Sequence, residues 1–151
     1  MEIIKATEND LSVILELQKL AYQSEAELVG DYSISPLTQT LAGIKDDFKN
    51  GIFLKAVENN EIIGSVRVRF SENTLYIGRM IVSPVQQNKG IGTALLRAAE
   101  ALYPNAKYEL FTSEKSERNL HLYKKNGYKE FKREPMNDNA NFVFLEKFPS
   151  N

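Results

Sequence analysis

At 151 residues, 42% hydrophobic and 26% charged, with a formal net charge of −1, the chain has the make-up of one ordinary globular domain spanning 1–151. Acidic and basic residues are interspersed, so no nucleic-acid partner is expected, and the lack of cysteine excludes disulfides, thiolate metal sites and a cysteine nucleophile. Met1 to Thr7 does not read as a signal peptide and no apolar run approaches membrane length, so no membrane partner is expected and a cytoplasmic location is.

Residues 2–6 read as a short strand. Thr7 and Asp10 then form a capping-box-like start for a helix with an apolar stripe of Leu11, Ile14, Leu15, Leu17, Leu20 and Ala21. Periodicity is lost over 24–38. Pro36 to Thr40 reads as the entry to a second helix running to about Lys49. A strand over 52–57, a hairpin turn at Asn59-Asn60 and a partner strand over 62–70 follow, with Val66, Val68 and Phe70 on the buried face and Ser65, Arg67 and Arg69 on the polar one. The next strand covers 75–82, with Gly78 as a bulge or close-approach site. A helix carrying Ile91, Ala94, Leu95, Ala98 and Leu102 stops before Pro104. A strand over 107–113, a helix begun by Ser116 and ended by Gly127, and a closing pair over 128–133 and 141–147 complete the chain. The order is β-α-α-β-β-β-α-β-α-β-β, an α/β (α+β) pattern with a mixed, mainly antiparallel seven-stranded sheet and about four flanking helices.

The most informative stretch runs from Met80 to Leu96. It reads as strand, turn with Gly90 and Gly92, then the first turn of an amphipathic helix, which aims unpaired N–H groups at one point and makes an anion site. A P-loop is excluded because Lys89 precedes the glycines, and a dinucleotide fingerprint because the third glycine is missing. What fits is Gln-x-x-Gly-x-Gly from Gln87 to Gly92 behind Met80-Ile81-Val82-Ser83-Pro84. This resembles the acetyl-CoA loop of the GNAT superfamily of N-acetyltransferases. The block Ser116 to Tyr128, with Asn119, Tyr123 and a closing Gly127-Tyr128, is similar to the same superfamily's later helix.

The resemblance implies a sheet that splays between its fourth and fifth strands, with acetyl-CoA as co-substrate in the gap. It implies that the backbone around Asn88, Lys89, Gly90, Ile91, Gly92 and Thr93, with Gln87, holds the pyrophosphate. The strand Met80-Ile81-Val82 would pair with the pantetheine arm and polarise the thioester carbonyl, and Asn119 would contact CoA. Asn119 and Tyr123 are four apart and share a helix face. A phenol, with pKa about 10, can protonate a departing thiolate, whose pKa is about 8.5. The activity implied is transfer of an acetyl group to a primary amine by direct attack in a ternary complex, with no metal; a non-catalytic acyl-CoA sensor and a transferase of longer acyl chains are the alternatives. Glu25, Glu27, Asp31 and Tyr32 fall where the superfamily builds its acceptor site, and their acidity would suit a cationic amine. Glu114 is a further candidate base, and His121 is expected to face away from the site. Partners are then acetyl-CoA and an amine, with a homodimer as an alternative to a monomer.

Overall fold

The computed structural model describes residues 1–149; Ser150 and Asn151, the end of the expected domain, lie outside them. Strands β1 (Glu2–Lys5), β2 (Ile52–Glu58), β3 (Glu61–Ser71), β4 (Thr74–Val82), β5 (Lys107–Ser113), β6 (Lys129–Asn137) and β7 (Ala140–Lys147) form one sheet in the order β1-β2-β3-β4-β5-β7-β6. Every neighbouring pair is antiparallel except β4 and β5. The hairpin turns at Asn59-Asn60 and Glu72-Asn73 place both central residues at positive φ, 52° and 62° in the first and 50° and 66° in the second. That twist matches the strands they join.

The helices are α1 (Leu11–Ala21), α2 (Gln23–Val29), α3 (Ser35–Thr38), α4 (Leu41–Lys49), α5 (Ile91–Leu102) and α6 (Glu117–Lys125). Two more helices are present than the sequence suggested, both within 23–38. Helix α2 buries only Ala26 and Val29, too few apolar positions to register as a stripe, and ends at Gly30 with φ 68°. Helix α3 is a single turn opened by Pro36, and it does not run on into α4 because Gln39 is extended and the Thr40 hydroxyl accepts from the Gly43 N–H at 3.0 Å, starting α4 afresh.

Two cores pack on opposite faces of the sheet. Leu54, Val66, Val68, Leu95, Leu96 and Ala99 belong to the cluster under α5, and Leu11, Ile14, Ile44 and Phe53 to the one under α1 and α4. Alternation along β2 sends Phe53 one way and Leu54 the other. Three expected facings differ. Leu20 is exposed, and Gln18, fully buried, takes its place on the inner side of α1. Phe70 lies at the strand end and stacks on Tyr103 at 4.3 Å. Ser65 is buried and donates to the Leu54 carbonyl at 2.9 Å, so the face read as polar is itself covered.

The parallel pair that joins the two halves of the sheet is short. β4 and β5 are in register only at Thr74, Leu75 and Tyr76, opposite Lys107, Tyr108 and Glu109. From Ile77 onward the two strands part, leaving the β5-facing edge of β4 unpaired. The splay expected between the fourth and fifth strands is therefore present.

Candidate active site

On its other side β4 pairs with β3, but the register slips between Ser65 and Arg67. Ile81 sits opposite Ser65 and Gly78 opposite Arg67, so Arg79 and Met80 together face Val66. This is a bulge, one residue beyond Gly78, and Arg79 takes φ 46° within it. A bulge re-aims the backbone, here where β4 borders the gap.

Behind β4 the chain turns through Pro84–Gln86 and reaches Gly90, the N-cap of α5, at φ 79°. Asn88 is also at positive φ, 64°. The first intrahelical bond is made by the Ala94 N–H to the Gly90 carbonyl at 3.0 Å, which leaves the earlier N–H groups of α5 without helical acceptors. A Cβ at Gly90 would meet nothing, so its outer side is open. A Cβ at Gly92 would come within 3.3 Å of Leu122 Cδ2, so this glycine lets α5 and α6 approach closely. Gln87, Asn88, Gly90, Ile91, Gly92 and Thr93 line a depression of about 420 Å³ together with Met80, Ile81 and Val82. Lys89 alone of the expected loop set turns its side chain away, to Gln86 Oε1 at 3.1 Å.

Helix α6 forms the other wall. Ser116 sits at its N-cap, yet its hydroxyl does not cap; it donates to Glu25 Oε1 of α2 at 2.7 Å. Asn119 donates to Thr112 Oγ1 of β5 at 3.2 Å, across the mouth of the splay. At the far end the Tyr128 N–H bonds the Tyr123 carbonyl at 3.0 Å and the Gly127 N–H bonds Lys124 at 3.1 Å, with Gly127 at φ 94°. This paired closure pins the turn that carries Tyr123. The Tyr123 ring is buried beside Tyr128, and its hydroxyl makes no hydrogen bond among the described residues. Burial pushes its phenol well above the ordinary tyrosine range, and Tyr22 and Glu25 push it the same way.

A second cavity, about 570 Å³, opens on the side of the sheet that carries α1 and α4. It holds Tyr123 and Asn119 at its inner end. Tyr22, Glu25, Met80 and Asn119 line both the cavity and the depression, so the two meet at the splay. Of the four acceptor-site candidates, Glu25 and Asp31 line this cavity. Glu27 and Tyr32 point to solvent and line neither space, because they lie on the outer sides of α2 and of the loop after it. Asp31 is held below the usual carboxylate range by hydrogen bonds from the Ser33 hydroxyl and N–H. Glu114 accepts from the Asn141 N–H and from Arg133 and lines neither space.

Other residues at the site were not read from the sequence. Arg118, His121 and Lys125 line the depression, so α6 turns its cationic side toward the loop; Arg118 donates to Gln87 Oε1. His121, expected to face away, is exposed but borders this space. Arg67 and Arg79 line the larger cavity. Arg79 carried a usable signal, as the single charged residue in the stretch Leu75 to Val82. Tyr22 carried none.

The family model for the acetyltransferase (GNAT) family matches residues 13–128. No curated protein sequence matches. Among solved structures the chain is similar to PaiA N-acetyltransferase from Thermoplasma acidophilum in complex with coenzyme A, with 20% identity, TM-score 0.79, and coverage of 97% of this chain and 98% of that one. It is similar to an acetyltransferase of the GNAT family from Staphylococcus aureus, with 22% identity, TM-score 0.76 and 99% of both chains covered. A ribosomal-protein-alanine N-acetyltransferase from Brucella melitensis aligns at 18% identity and TM-score 0.76, over 98% of this chain and 99% of that one. Among the described residues no helix is long and apolar enough to cross a membrane. The matched region includes both the glycine loop and the Asn119–Tyr123 helix, and the sheet opens where that loop and helix converge; the chain belongs to the GNAT acetyltransferase family, with acetyl-CoA as co-substrate.

Proposed function

We propose that this protein moves the acetyl group of acetyl-CoA to a primary amine by direct attack in a ternary complex. The observation that carries the reading is the meeting of two openings at one short lining of Tyr22, Glu25, Met80 and Asn119, with Tyr123 beside it. One opening has the makings of a donor groove: a helix N-terminus with free N–H groups, cationic Arg118 and Lys125 beside it, and an unpaired strand edge. The other is of a size that encloses a small acceptor.

Bound acetyl-CoA supplies the electrophilic carbonyl and a thiolate leaving group. The free N–H groups at the start of α5 hold the pyrophosphate, and Asn119 contacts the pantetheine arm as it passes into the splay. Along β4 the open edge at Met80, Ile81 and Val82 pairs with that arm like an added strand, and a backbone N–H there stabilises negative charge on the carbonyl oxygen. Tyr123 gives its proton to the departing sulfur. Burial keeps the Tyr123 phenol protonated, and burial of the sulfur would raise the basicity of the thiolate that takes the proton. Glu25, at the junction, receives the amine. Deprotonating an amine of pKa about 10.4 at neutral pH costs about 4.6 kcal/mol, within reach of one carboxylate or a water chain.

Thiol release from acetyl-CoA with a panel of amines tests the reading, with Tyr123→Phe beside the wild type. The expected result is turnover by the wild type, a kcat lower by about 100-fold or more in the variant, and a CoA affinity by calorimetry that stays within about twofold. Equal kcat in the two proteins, with chemistry limiting, removes Tyr123 from the acid role.

A further inference from the structure

Three arginines, Arg67, Arg69 and Arg79, line the larger cavity beside Glu25, Asp31 and Asp47, and they differ in how their charge is met. Arg67 is fully engaged there. Its guanidinium donates to Asp47 Oδ2 at 2.8 Å and Gln18 Oε1 at 2.7 Å, and it lies over the Phe53 ring at 4.4 Å. Gln18 is fully buried and donates in turn to the Pro36 carbonyl at 2.9 Å and Gln39 Oε1 at 3.0 Å, and Gln39 donates to Asp47 at 2.7 Å. The ring of bonds is closed, with both bonds to Asp47 falling on Oδ2.

Arg79 is in the opposite condition. Its only side-chain hydrogen bond among the described residues is from Nη2 to the Ser35 hydroxyl at 3.0 Å, and Nη1 is buried with no partner. An unmet buried donor costs about 1–3 kcal/mol, more on a charged group. Its backbone is also strained, at φ 46° in the bulge. Burial and the neighbouring Arg79 charge lower Arg67 to about 10, so the two guanidiniums repel across a poorly solvated space. Burial raises the Tyr22 phenol, Arg79 and Arg67 oppose the rise, and Glu25 adds to it. Glu25 lines both openings where they meet, whereas Arg79, an underused guanidinium, lines the larger cavity alone.

We propose that the acceptor is a small amine that also carries a carboxylate, an amino-acid-like molecule whose carboxylate is bound by Arg79 while its amine meets Glu25 at the splay. This rests on the acetyl-transfer reading for the role of the amine. The carboxylate gives Arg79 the forked partner that Ser35 cannot supply, and a turn of the flexible side chain exchanges one bond to a neutral hydroxyl for two to an ionised carboxylate. It also places a negative charge beside two like cations. Phe111 and Phe142, in edge-to-face contact at 5.1 Å, line the same cavity and suit an apolar substrate body.

The test measures binding, so it is separate from catalysis. The common amino acids, each beside its decarboxylated amine (phenylalanine with phenethylamine, for example), are titrated by calorimetry into the CoA-loaded protein. At least one carboxylated member is expected to bind about 10- to 100-fold more tightly than its partner. Arg79→Met is expected to collapse that difference, and Arg79→Lys, which keeps the charge and loses the fork, to restore part of it; CoA binding by each variant certifies its fold. Equal affinity within every pair, no carboxylated compound bound at millimolar concentration, or a difference that survives Arg79→Met each overturns the proposal. Tight carboxylate binding without thiol release would instead count against acetyl transfer and leave the carboxylate site standing.

Discussion

Asn59, Asn60, Glu72 and Asn73 hold positive φ in hairpin turns, where the geometry demands it, and Asn88 does so in the donor loop. Arg79 does so inside a strand, with a long side chain that gains nothing from that conformation. Backbone strain of this kind persists only where the surroundings enforce it, and here the bulge sets it at the rim of the splay. Gly90 shows the complementary case. Its φ of 79° would strain any residue with a Cβ even though the space around it is empty. Gly90→Ala is therefore expected to lower folding stability by about 1–2 kcal/mol through backbone strain alone. Urea denaturation measures this, and an unchanged midpoint would mean that the loop relaxes to another conformation.

Helices α5 and α6 behave as one unit around the donor groove. Gly92 lets them touch through Leu122, and Met80 lies 3.9 Å from the position a Cβ there would take. Gly92→Glu puts bulk into that contact and negative charge against the N-terminus of α5, the proposed seat of the pyrophosphate. It is expected to abolish CoA binding in calorimetry, and undiminished affinity would separate the glycine loop from the donor site. These two helices were the most legible part of the chain, because their punctuation is local: paired glycines before an apolar stripe, and Gly127 after one. Helices α2 and α3 were hard to read for the opposite reason. Helix α2 buries two residues and α3 is one turn, so tertiary contacts hold them and neither leaves a period in the sequence. Of the acceptor candidates in this region, Glu25 and Asp31 line the larger cavity and Glu27 and Tyr32 face solvent. Ser116 shows the same limit. Its place at the start of α6 was readable, but the turn of its hydroxyl toward Glu25, 91 residues away, was not.

Across the molecule, the succession of elements and the site of the splay followed from sequence pattern and resemblance, whereas the placing of Arg67 and Arg79 in the larger cavity emerged only once β3, β4, α1 and α4 were packed together. Arg67 alternates with valines on β3 as any solvent-facing residue would, and only the buried Gln18 beneath it reveals a different surrounding. The larger cavity and the depression lie on different sides of the opened sheet and share just four lining residues. In kinetic terms, neither reactant would then stand in the other's doorway, and random addition is the expected outcome. The amine should bind the CoA-free protein in calorimetry, and double-reciprocal plots should intersect; binding that requires CoA would mean ordered addition, and parallel lines would point to a covalent acyl-enzyme. A sheet left unstitched over half a strand thus gives the catalyst two independent entrances.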